Sequence, residues 1–430
     1  PLNKLLGLIT DLFNHKLDEK FAEEHEIKLE DLKKIKTFHW VFEFPEVFLD
    51  RGGFDVVVGN PPYVSYGLRG VGKLTEFEKK LLKSLFNSAE YKIATYPIFM
   101  ERSIEISHDG GYSSLIVPDS FLLGQYFSKI RKFILDNCEI KNLLFLTFKV
   151  FVGSTVGRSI IYIFRKNSDV RLRNNNLAKV ELFKSLEDFS NNRGQWYSYR
   201  QSYFSNTDLN RFKLFFAKKD YEIVIFIDKS DSTQIKTYLV GHTGVRSLIG
   251  QKNIISKEAK DKHYKRGLIS SAQVIRYSLF YDGDYININP KLLNKGGWDK
   301  DVVENPKILI RQTGDGIIAT VDHQKFYHLN NLHSFSPNTP KVQKFLNSLL
   351  VIINSWFLTW YYRKISLEEG RTMAQTDIET IEKLPIPEIT HTIKDVLDRM
   401  SDYLLFLNAT EERRQKLKDT IEFFDRQIAD

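Results

Sequence analysis

Cysteine and long apolar runs are nearly absent from this sequence. One cysteine, Cys138, occurs among 430 residues, which excludes an internal disulfide framework and is typical of a reducing compartment. No stretch approaches the roughly 18 apolar residues that a membrane-spanning helix needs, and no secretory signal peptide is visible. The sequence therefore predicts a cytoplasmic protein with no membrane partner.

What the sequence does have is an excess of positive charge. Lys and Arg number 62 against 54 Asp and Glu, a formal net charge of +8, which favours a polyanionic partner. Hydrophobic residues make up 42% and charged residues 27%, as in ordinary globular chains. At 430 residues, the chain is long enough for two or three domains.

The stretch from Phe54 to Tyr63 reads FDVVVGNPPY, which predicts a buried strand that ends abruptly in a rigid loop. Asn60 carries an amide that both accepts and donates hydrogen bonds. Pro61 and Pro62 fix the backbone and leave carbonyls free to accept. Tyr63 offers a flat face for stacking. Together these residues suit an exocyclic amino group on a planar ring.

This strand and loop resemble the catalytic motif of S-adenosylmethionine-dependent amino-methyltransferases, above all the γ-class N6-adenine DNA methyltransferases. The resemblance implies that residues 60–63 form the catalytic loop, that S-adenosylmethionine is the cofactor and that no metal is needed. Residues 150–161 resemble the family's late motif, in which the matching residue, Phe151, stacks on the second face of the target base while Tyr63 covers the first. Phe151 as a core residue is the alternative.

Later segments resemble the target-recognition domain of TaqI-like adenine methyltransferases, as found in fused type IIG restriction–modification enzymes. The segments are 306–313, 320–332, 349–363 and 381–387. Double-stranded DNA is the implied partner, and we expect seven residues to contact it: Lys252, Arg276, Arg311, Gln312, Lys364, Arg371 and Gln375. Arg and Gln side chains can read guanine and adenine edges in pairs of hydrogen bonds, so Arg311 and Gln312 are predicted readers. A solvated basic loop is the alternative for these two residues. Lys364, Arg371 and Gln375 are expected in a polar loop that approaches DNA in the family.

Alternating helix and strand signals after the loop predict an α/β fold. We expect a partial Rossmann-like methyltransferase sheet, then a mixed α+β target-recognition domain and a C-terminal helix. The predicted elements are helices over 97–106 and 127–137 and strands over 112–117, 142–148 and 159–164. The predicted domains are a lead-in over 1–50, the C-terminal half of the catalytic domain over 51–170, a connector over 171–235, the target-recognition domain over 236–390 and the terminal helix over 391–430.

The first 50 residues contain no glycine cluster of the kind with which the family binds its cofactor. The resemblance therefore implies that this chain is the C-terminal portion of a longer enzyme. The cofactor-binding residues are expected upstream of Pro1, where a fused nuclease is also possible. On its own the chain is expected to be inactive.

Two other motifs compete for a catalytic role. Residues 67–73 nearly fit a phosphate-binding loop, but Leu74 stands where a Ser or Thr should bind magnesium. Asp119 with Glu139 and Lys141 imitates the acids and lysine of a metal-dependent nuclease. We expect Glu139 and Lys141 at a helix end instead of within a strand, so this site is disfavoured.

The predicted function is sequence-specific adenine-N6 methylation of DNA, with base flipping, in a restriction–modification system. A protein-glutamine or RNA methyltransferase with the same loop is one alternative. A non-catalytic DNA-specificity module is the other.

Overall fold

The computed structural model describes residues 2–32, 34–35, 37–66, 73–90, 93–151, 157–230, 232–294, 298–314, 316–369, 371 and 374–427. The chain divides into two compact units, Pro1–Ala217 and Lys218–Asp430. No helix in the described part of the chain has the length and apolar character needed to cross a lipid bilayer.

A six-stranded mixed sheet forms the centre of the first unit. Its strands are β1 (Phe54–Gly59), β2 (Ser107–Pro118), β3 (Cys138–Leu146), β4 (Ser159–Lys166), β5 (Leu177–Phe183) and β6 (Gln195–Arg200). Their spatial order is β1-β2-β4-β3-β5-β6. β1 runs parallel to β2, whereas β4 is inserted antiparallel between β2 and β3. The predicted α/β class is confirmed.

Eleven helices accompany this sheet within the described residues: α1 (Leu2–Glu24), α2 (Leu29–Leu32), α3 (Trp40–Glu43), α4 (Pro45–Arg51), α5 (Glu76–Leu85), α6 (Thr95–Glu105), α7 (Ser120–Leu123), α8 (Ser128–Asn137), α9 (Val170–Asn175), α10 (Leu186–Ser190) and α11 (Ser202–Ser205). The predicted helices over 97–106 and 127–137 correspond to α6 and α8. The predicted strands over 112–117, 142–148 and 159–164 correspond to β2, β3 and β4.

The expected connector over 171–235 is corrected by the structure. β5 and β6 both lie inside it, and β5 pairs in parallel with β3. Polar, turn-rich residues surround these strands, which is why composition alone suggested a linker. The buried Ala178 and Val180 of β5 show that this segment contributes to the core of the first unit.

β1 is an edge strand and not the buried strand that its apolar sequence predicts. Its one strand partner in the described chain is β2, and the side chains of Val56 and Val58 are 58% and 74% exposed. Phe54 is covered on one side, where its ring meets those of Phe44 and Phe48 at 5.4 and 5.5 Å. The strand is therefore anchored at its start and open along its outer edge.

The second unit is rich in short strands. They are β7 (Thr233–Gln234), β8 (Leu239–Thr243), β9 (Ile255–Ser256), β10 (Tyr264–Leu268), β11 (Val274–Ile275), β12 (Ser278–Leu279), β13 (Tyr285–Asn287), β14 (Lys307–Arg311), β15 (Ala319–Asp322), β16 (Tyr327–His328), β17 (Leu332–Pro337) and β18 (Pro385–Ile386). Two four-stranded sheets, β15-β14-β17-β8 and β16-β10-β13-β9, organise them. The predicted mixed α+β character of this region is confirmed.

The helices of the second unit lie mostly after these strands. They are α12 (Lys218–Lys229), α13 (Lys300–Val303), α14 (Leu346–Ile353), α15 (Trp356–Ser366), α16 (Ile378–Glu382), α17 (His391–Asn408), α18 (Glu411–Lys416) and α19 (Lys418–Gln427). The single terminal helix predicted over 391–430 is thus three helices. Thr410 explains the first break, because its side chain accepts a hydrogen bond from the Arg413 N–H and so starts a new helix.

A fully buried ion pair lies in the core of the second unit. Lys307 on β14 and Asp322 on β15 face each other with Nζ and Oδ2 2.7 Å apart, and both side chains are 0% exposed. The carboxylate of Asp322 also accepts hydrogen bonds from the backbone N–H groups of residues 324, 325 and 326. The pair therefore joins two strands and the turn that follows them.

Candidate active site and nucleic-acid interface

The loop after β1 carries two groups for which the described residues offer no hydrogen-bond partner. Asn60 is exposed, Pro61 is buried and Pro62 is exposed. Among the described residues, none hydrogen-bonds to the side-chain amide of Asn60 or to the carbonyl of Pro61. Both are among the groups that the sequence predicts to accept from an amino group.

Tyr63 is held in place by its hydroxyl. The phenol donates to the carbonyl of Ile116 on β2 at 2.8 Å. Burial raises the pKa of Tyr63 to about 12, so the phenol stays neutral and keeps the proton for this bond. The ring of Tyr63 also meets that of Tyr96 edge to face at 6.4 Å. Tyr63 therefore presents a fixed face beside Asn60.

Phe151 is brought to the same place although it lies far along the chain. Its ring centroid is 6.0 Å from that of Tyr63, with an angle of 67° between the planes. Two parallel rings that sandwich a third are about 7 Å apart, twice a contact distance of ~3.5 Å. The two predicted stacking residues are thus neighbours, and a planar group would fit between them only after the rings became parallel and moved apart by about 1 Å. Residues 152–156 of the late motif lie outside the described residues.

Asp119 belongs to a buried ion pair at the end of β2. Its Oδ2 lies 2.9 Å from Nη2 and 3.0 Å from Nε of Arg158, and Arg158 is 6% exposed. Arg158 lies within the late motif, seven residues after Phe151. The pair thus ties the segment after Phe151 to the same end of the sheet as the 60–63 loop.

This arrangement excludes the metal-dependent nuclease site. Glu139 and Lys141 lie within β3 and not at the expected helix end. Glu139 on β3 lies opposite Arg165 of β4. Pro118 on β2, next to Asp119, lies opposite Ser159, six residues earlier on the same strand. At about 3.3 Å per residue, the acids are some 20 Å apart along the sheet. The described residues contain no group of three His, Cys, Asp or Glu that could hold a metal ion.

The glycines of the competing phosphate-binding motif, at 67, 70 and 72, lie outside the described residues. Its lysine, Lys73, is exposed and precedes α5. The start of α5 is a capping box in which Thr75 and Glu78 satisfy each other's backbone N–H groups. This helix start is explained without a bound phosphate.

Thr95 contacts the 60–63 loop and was missed by sequence reasoning. It is the first residue of α6, and its hydroxyl donates to the carbonyl of Pro62. The N–H of Val64 donates to the same hydroxyl oxygen at 3.0 Å. No motif signals this contact, because it joins residues that are distant in sequence.

In the second unit, three of the predicted DNA-contacting residues gather at the end of β14. We call Arg311, Gln312 and Gln375 the β14-end cluster. The carbonyl of Gln312 accepts from the Thr376 N–H at 2.7 Å, and Thr313 pairs with Gln375 through a β-bridge. Because these backbones are joined, Gln312 and Gln375 are neighbours.

Arg276 lies near this cluster. The Nε of Arg311 donates to the carbonyl of Val274, which is two residues before Arg276. The Nη2 of Arg276 lies 3.5 Å from the hydroxyl of Thr359 on α15. The turn between β11 and β12 therefore places Arg276 near the β14-end cluster.

The remaining three predicted residues are basic, and they differ in whether an acidic residue pairs with them. Lys364 is in helix α15, not in a polar loop as predicted, and its Nζ is 2.8 Å from Oδ2 of Asp220. Arg371 pairs with Glu368. Lys252 is exposed, and no described acidic residue forms an ion pair with it. Of these basic groups, Lys252 is the one most open to a phosphate.

The sequence matches two known families. Residues 5–151 match the Eco57I restriction-modification methylase family, and residues 268–386 match the TaqI-like C-terminal specificity domain. The second match confirms the predicted resemblance to a TaqI-like specificity domain, while the bounds 236–390 stay a prediction. The first covers the 60–63 loop and ends at Phe151.

Relatives with curated names agree with these matches. A protein of Methanocaldococcus jannaschii named as a type II restriction enzyme and methyltransferase is 27% identical over 391 residues, which are 87% of this chain and 30% of that protein. The type II restriction enzyme and methyltransferase RM.Eco57I of Escherichia coli is 31% identical over 144 residues, covering 33% of this chain and 13% of that protein. The chain thus spans less than a third of the length of either relative.

Two solved structures share the fold at low sequence identity. The type IIL restriction-modification enzyme MmeI in complex with DNA superposes with a TM-score of 0.54 at 10% identity, covering 87% of this chain and 53% of that one. A nuclease-deletion mutant of the type ISP enzyme LlaGI has a TM-score of 0.51 at 12% identity, covering 86% of this chain and 36% of that one. In sequence, residues 5–151 of this chain are thus similar to the Eco57I restriction-modification methylase family, and residues 268–386 are similar to the TaqI-like C-terminal specificity domain.

Proposed function

We propose that this chain is the C-terminal portion of a sequence-specific N6-adenine DNA methyltransferase from a fused, cytoplasmic restriction–modification enzyme. The observation that carries the proposal is the meeting of Tyr63 and Phe151, 6.0 Å apart, on the loop whose Asn60 amide and Pro61 carbonyl have no hydrogen-bond partner among the described residues. An acceptor pair next to two aromatic faces fits a planar base with an amino group.

The target adenine has to leave the duplex, which costs a few kcal/mol. Stacking on Tyr63 and Phe151 would recover roughly 1–3 kcal/mol for each face. The amide oxygen of Asn60 and the carbonyl of Pro61 accept hydrogen bonds from the two N6–H groups. These bonds direct the nitrogen lone pair away from the base plane. Positioning of the amino group is the main contribution of these residues to the rate.

S-adenosylmethionine supplies the methyl group when it is bound. The described residues do not fit a site for it: glycines are sparse before β1, and the edge of β1 where further strands of such a sheet would pair is open. We place the cofactor-binding residues upstream of Pro1, together with any nuclease domain. The names of the relatives, which combine a restriction enzyme with a methyltransferase, support this organisation.

A methyl-transfer assay tests the proposal against its alternatives. The full-length protein with labelled S-adenosylmethionine should label duplex DNA, and mass spectrometry of the digested DNA should find N6-methyladenine. The 430-residue chain alone should label nothing. Labelled peptide or RNA would favour the protein-glutamine or RNA methyltransferase, and the absence of labelling of all three substrates would favour the non-catalytic specificity module. Activity of the chain alone would show that it contains the cofactor site.

The β14-end cluster and Lys252 should respond differently to substitution. Arg311→Ala should relax specificity at one base position, costing about 1–3 kcal/mol there. Lys252→Ala should weaken binding to all sequences alike and reduce the log–log salt slope by about one. The measurement is a binding series over singly substituted sites at several salt concentrations. Lys364→Ala is a useful third variant, because Lys364 is also predicted to lie near phosphates. This substitution removes the ion pair with Asp220 as well.

Equal behaviour of the Arg311 and Lys252 variants would contradict this division between base readers and phosphate anchors. No effect from either would mean that DNA does not cross this surface of the second unit.

A further inference from the structure

Thr95 connects the catalytic loop to the first turn of α6 through several hydrogen bonds. Its hydroxyl proton is within reach of two carbonyls, that of Pro62, which is the nearer, and that of Val64 at 3.2 Å. The hydroxyl oxygen accepts from the Val64 N–H at 3.0 Å. Its own backbone N–H donates to the carbonyl of Val64 at 2.9 Å. One residue thus satisfies three backbone groups of the segment that carries Asn60 and Tyr63.

The helix that carries Thr95 is itself firmly anchored. Met100 and Ile104 on α6 are 0% and 1% exposed. Glu101 is fully buried and its carboxylate accepts from the backbone N–H groups of Asn87 and Ser88 at 2.9 and 2.7 Å. Because α6 is fixed in this way, the hydroxyl of Thr95 is a rigid point of attachment for the loop.

Thr95 also distinguishes the two proline carbonyls. The carbonyl of Pro62 is occupied by the hydroxyl, whereas that of Pro61 has no hydrogen-bond donor among the described residues. Fixing the Pro62 carbonyl fixes the peptide plane between Pro62 and Tyr63, and the proline rings already restrict φ. The contact with Thr95 therefore limits the movement of the neighbouring Pro61 carbonyl, while the Tyr63 ring is held separately by the bond of its hydroxyl to Ile116.

From these contacts we infer that Thr95 is a positioning residue for methyl transfer: its hydroxyl holds the 60–63 loop so that the Asn60 amide and the Pro61 carbonyl face one amino group. This rests on the function proposed above. Thr95 does not touch the substrate. Its effect on the reaction is through the geometry of the loop, where a displacement of about 1 Å can lower a rate roughly a hundredfold.

Thr95→Val in the full-length protein is the direct test, because valine keeps the shape and removes the hydroxyl. We expect kcat for DNA methylation to fall roughly tenfold to a hundredfold, with the KM for DNA nearly unchanged. Thr95→Ser, which keeps the hydroxyl, should stay near the wild-type kcat. Thr207→Val is the matched control, because that hydroxyl also bonds to two carbonyls, those of Phe204 and Arg211, away from the loop.

The controls separate positioning from general stability. Thermal unfolding should show similar losses for the Thr95 and Thr207 valine variants, while kcat falls for Thr95 alone. A wild-type kcat in Thr95→Val, or an equal loss in Thr207→Val, would overturn the inference. If Thr95→Val does not fold, Thr95→Cys replaces it, since a thiol is a weaker donor. A kcat for that variant equal to the serine variant's would also overturn the inference. Failure of the wild-type enzyme to methylate DNA would instead overturn the proposed function.

Discussion

Asn60→Ala in the full-length protein should lose methyl transfer and keep its affinity for DNA within a few-fold. The amide of Asn60 is exposed and has no hydrogen-bond partner among the described residues, so its removal leaves the fold intact. In the proposed mechanism it acts only on the flipped base. Loss of one such positioned hydrogen-bonding group typically lowers kcat by about 10²–10³-fold. Single-turnover methylation and DNA titration of the same samples measure the two effects.

Two variants make this test specific. Asn60→Asp keeps acceptor oxygens and should retain more activity than the alanine variant. Asn191→Ala removes another exposed amide of the first unit, one that donates to the carbonyl of Glu187, and should leave kcat unchanged. Wild-type turnover in Asn60→Ala would end the catalytic assignment of the loop.

Asp322→Ala should destabilise the second unit more than any other single change considered above. It leaves the ammonium of Lys307 buried without its carboxylate, and removing one partner of a buried pair costs about 3–5 kcal/mol. It also removes the acceptor for three backbone N–H groups. Equilibrium denaturation should show the loss as a lower midpoint. Lys307→Met should cost less, because Asp322 then keeps its backbone partners.

An exposed pair provides the comparison. Lys416 and Glu412 are 2.6 Å apart with side chains 71% and 75% exposed, and such pairs contribute about 0–1 kcal/mol. Glu412→Ala should therefore leave the midpoint almost unchanged. If Asp322→Ala cost no more than Glu412→Ala, the buried pair would not hold β14 and β15 together.

Local patterns predicted the elements that depend on local physics. The 60–63 loop follows from two prolines after an apolar run, and α6, α8, β2 and β4 follow from periodicity. The late-motif residue Phe151 was found by resemblance, and its contact with Tyr63 depends on the order of the strands. The loop, these helices and strands, and the late motif can each be recognised from a short stretch of sequence.

Features that depend on distant partners were not predictable in this way. The apolar run of β1 suggested burial, but burial depends on which strands lie beside it. Thr95 meets Pro62 across 33 residues, and a single threonine carries no motif. Lys364 was expected in a loop, and nothing near it in sequence indicates its ion pair with Asp220. Each error comes from tertiary contacts that no local pattern encodes.

The open edge of β1 has a consequence for solubility. Natural sheets protect their outer strands with lysines, prolines or bulges that discourage pairing between molecules. The one charged residue of β1, Asp55, is already engaged by Arg51 at 3.2 Å and His108 at 3.1 Å, and Val56 and Val58 stand exposed beside it. Strand addition between two copies of the isolated chain is therefore unopposed at this edge. We therefore expect the six residues of β1 to be the part of the described first-unit sheet most prone to pair with another copy.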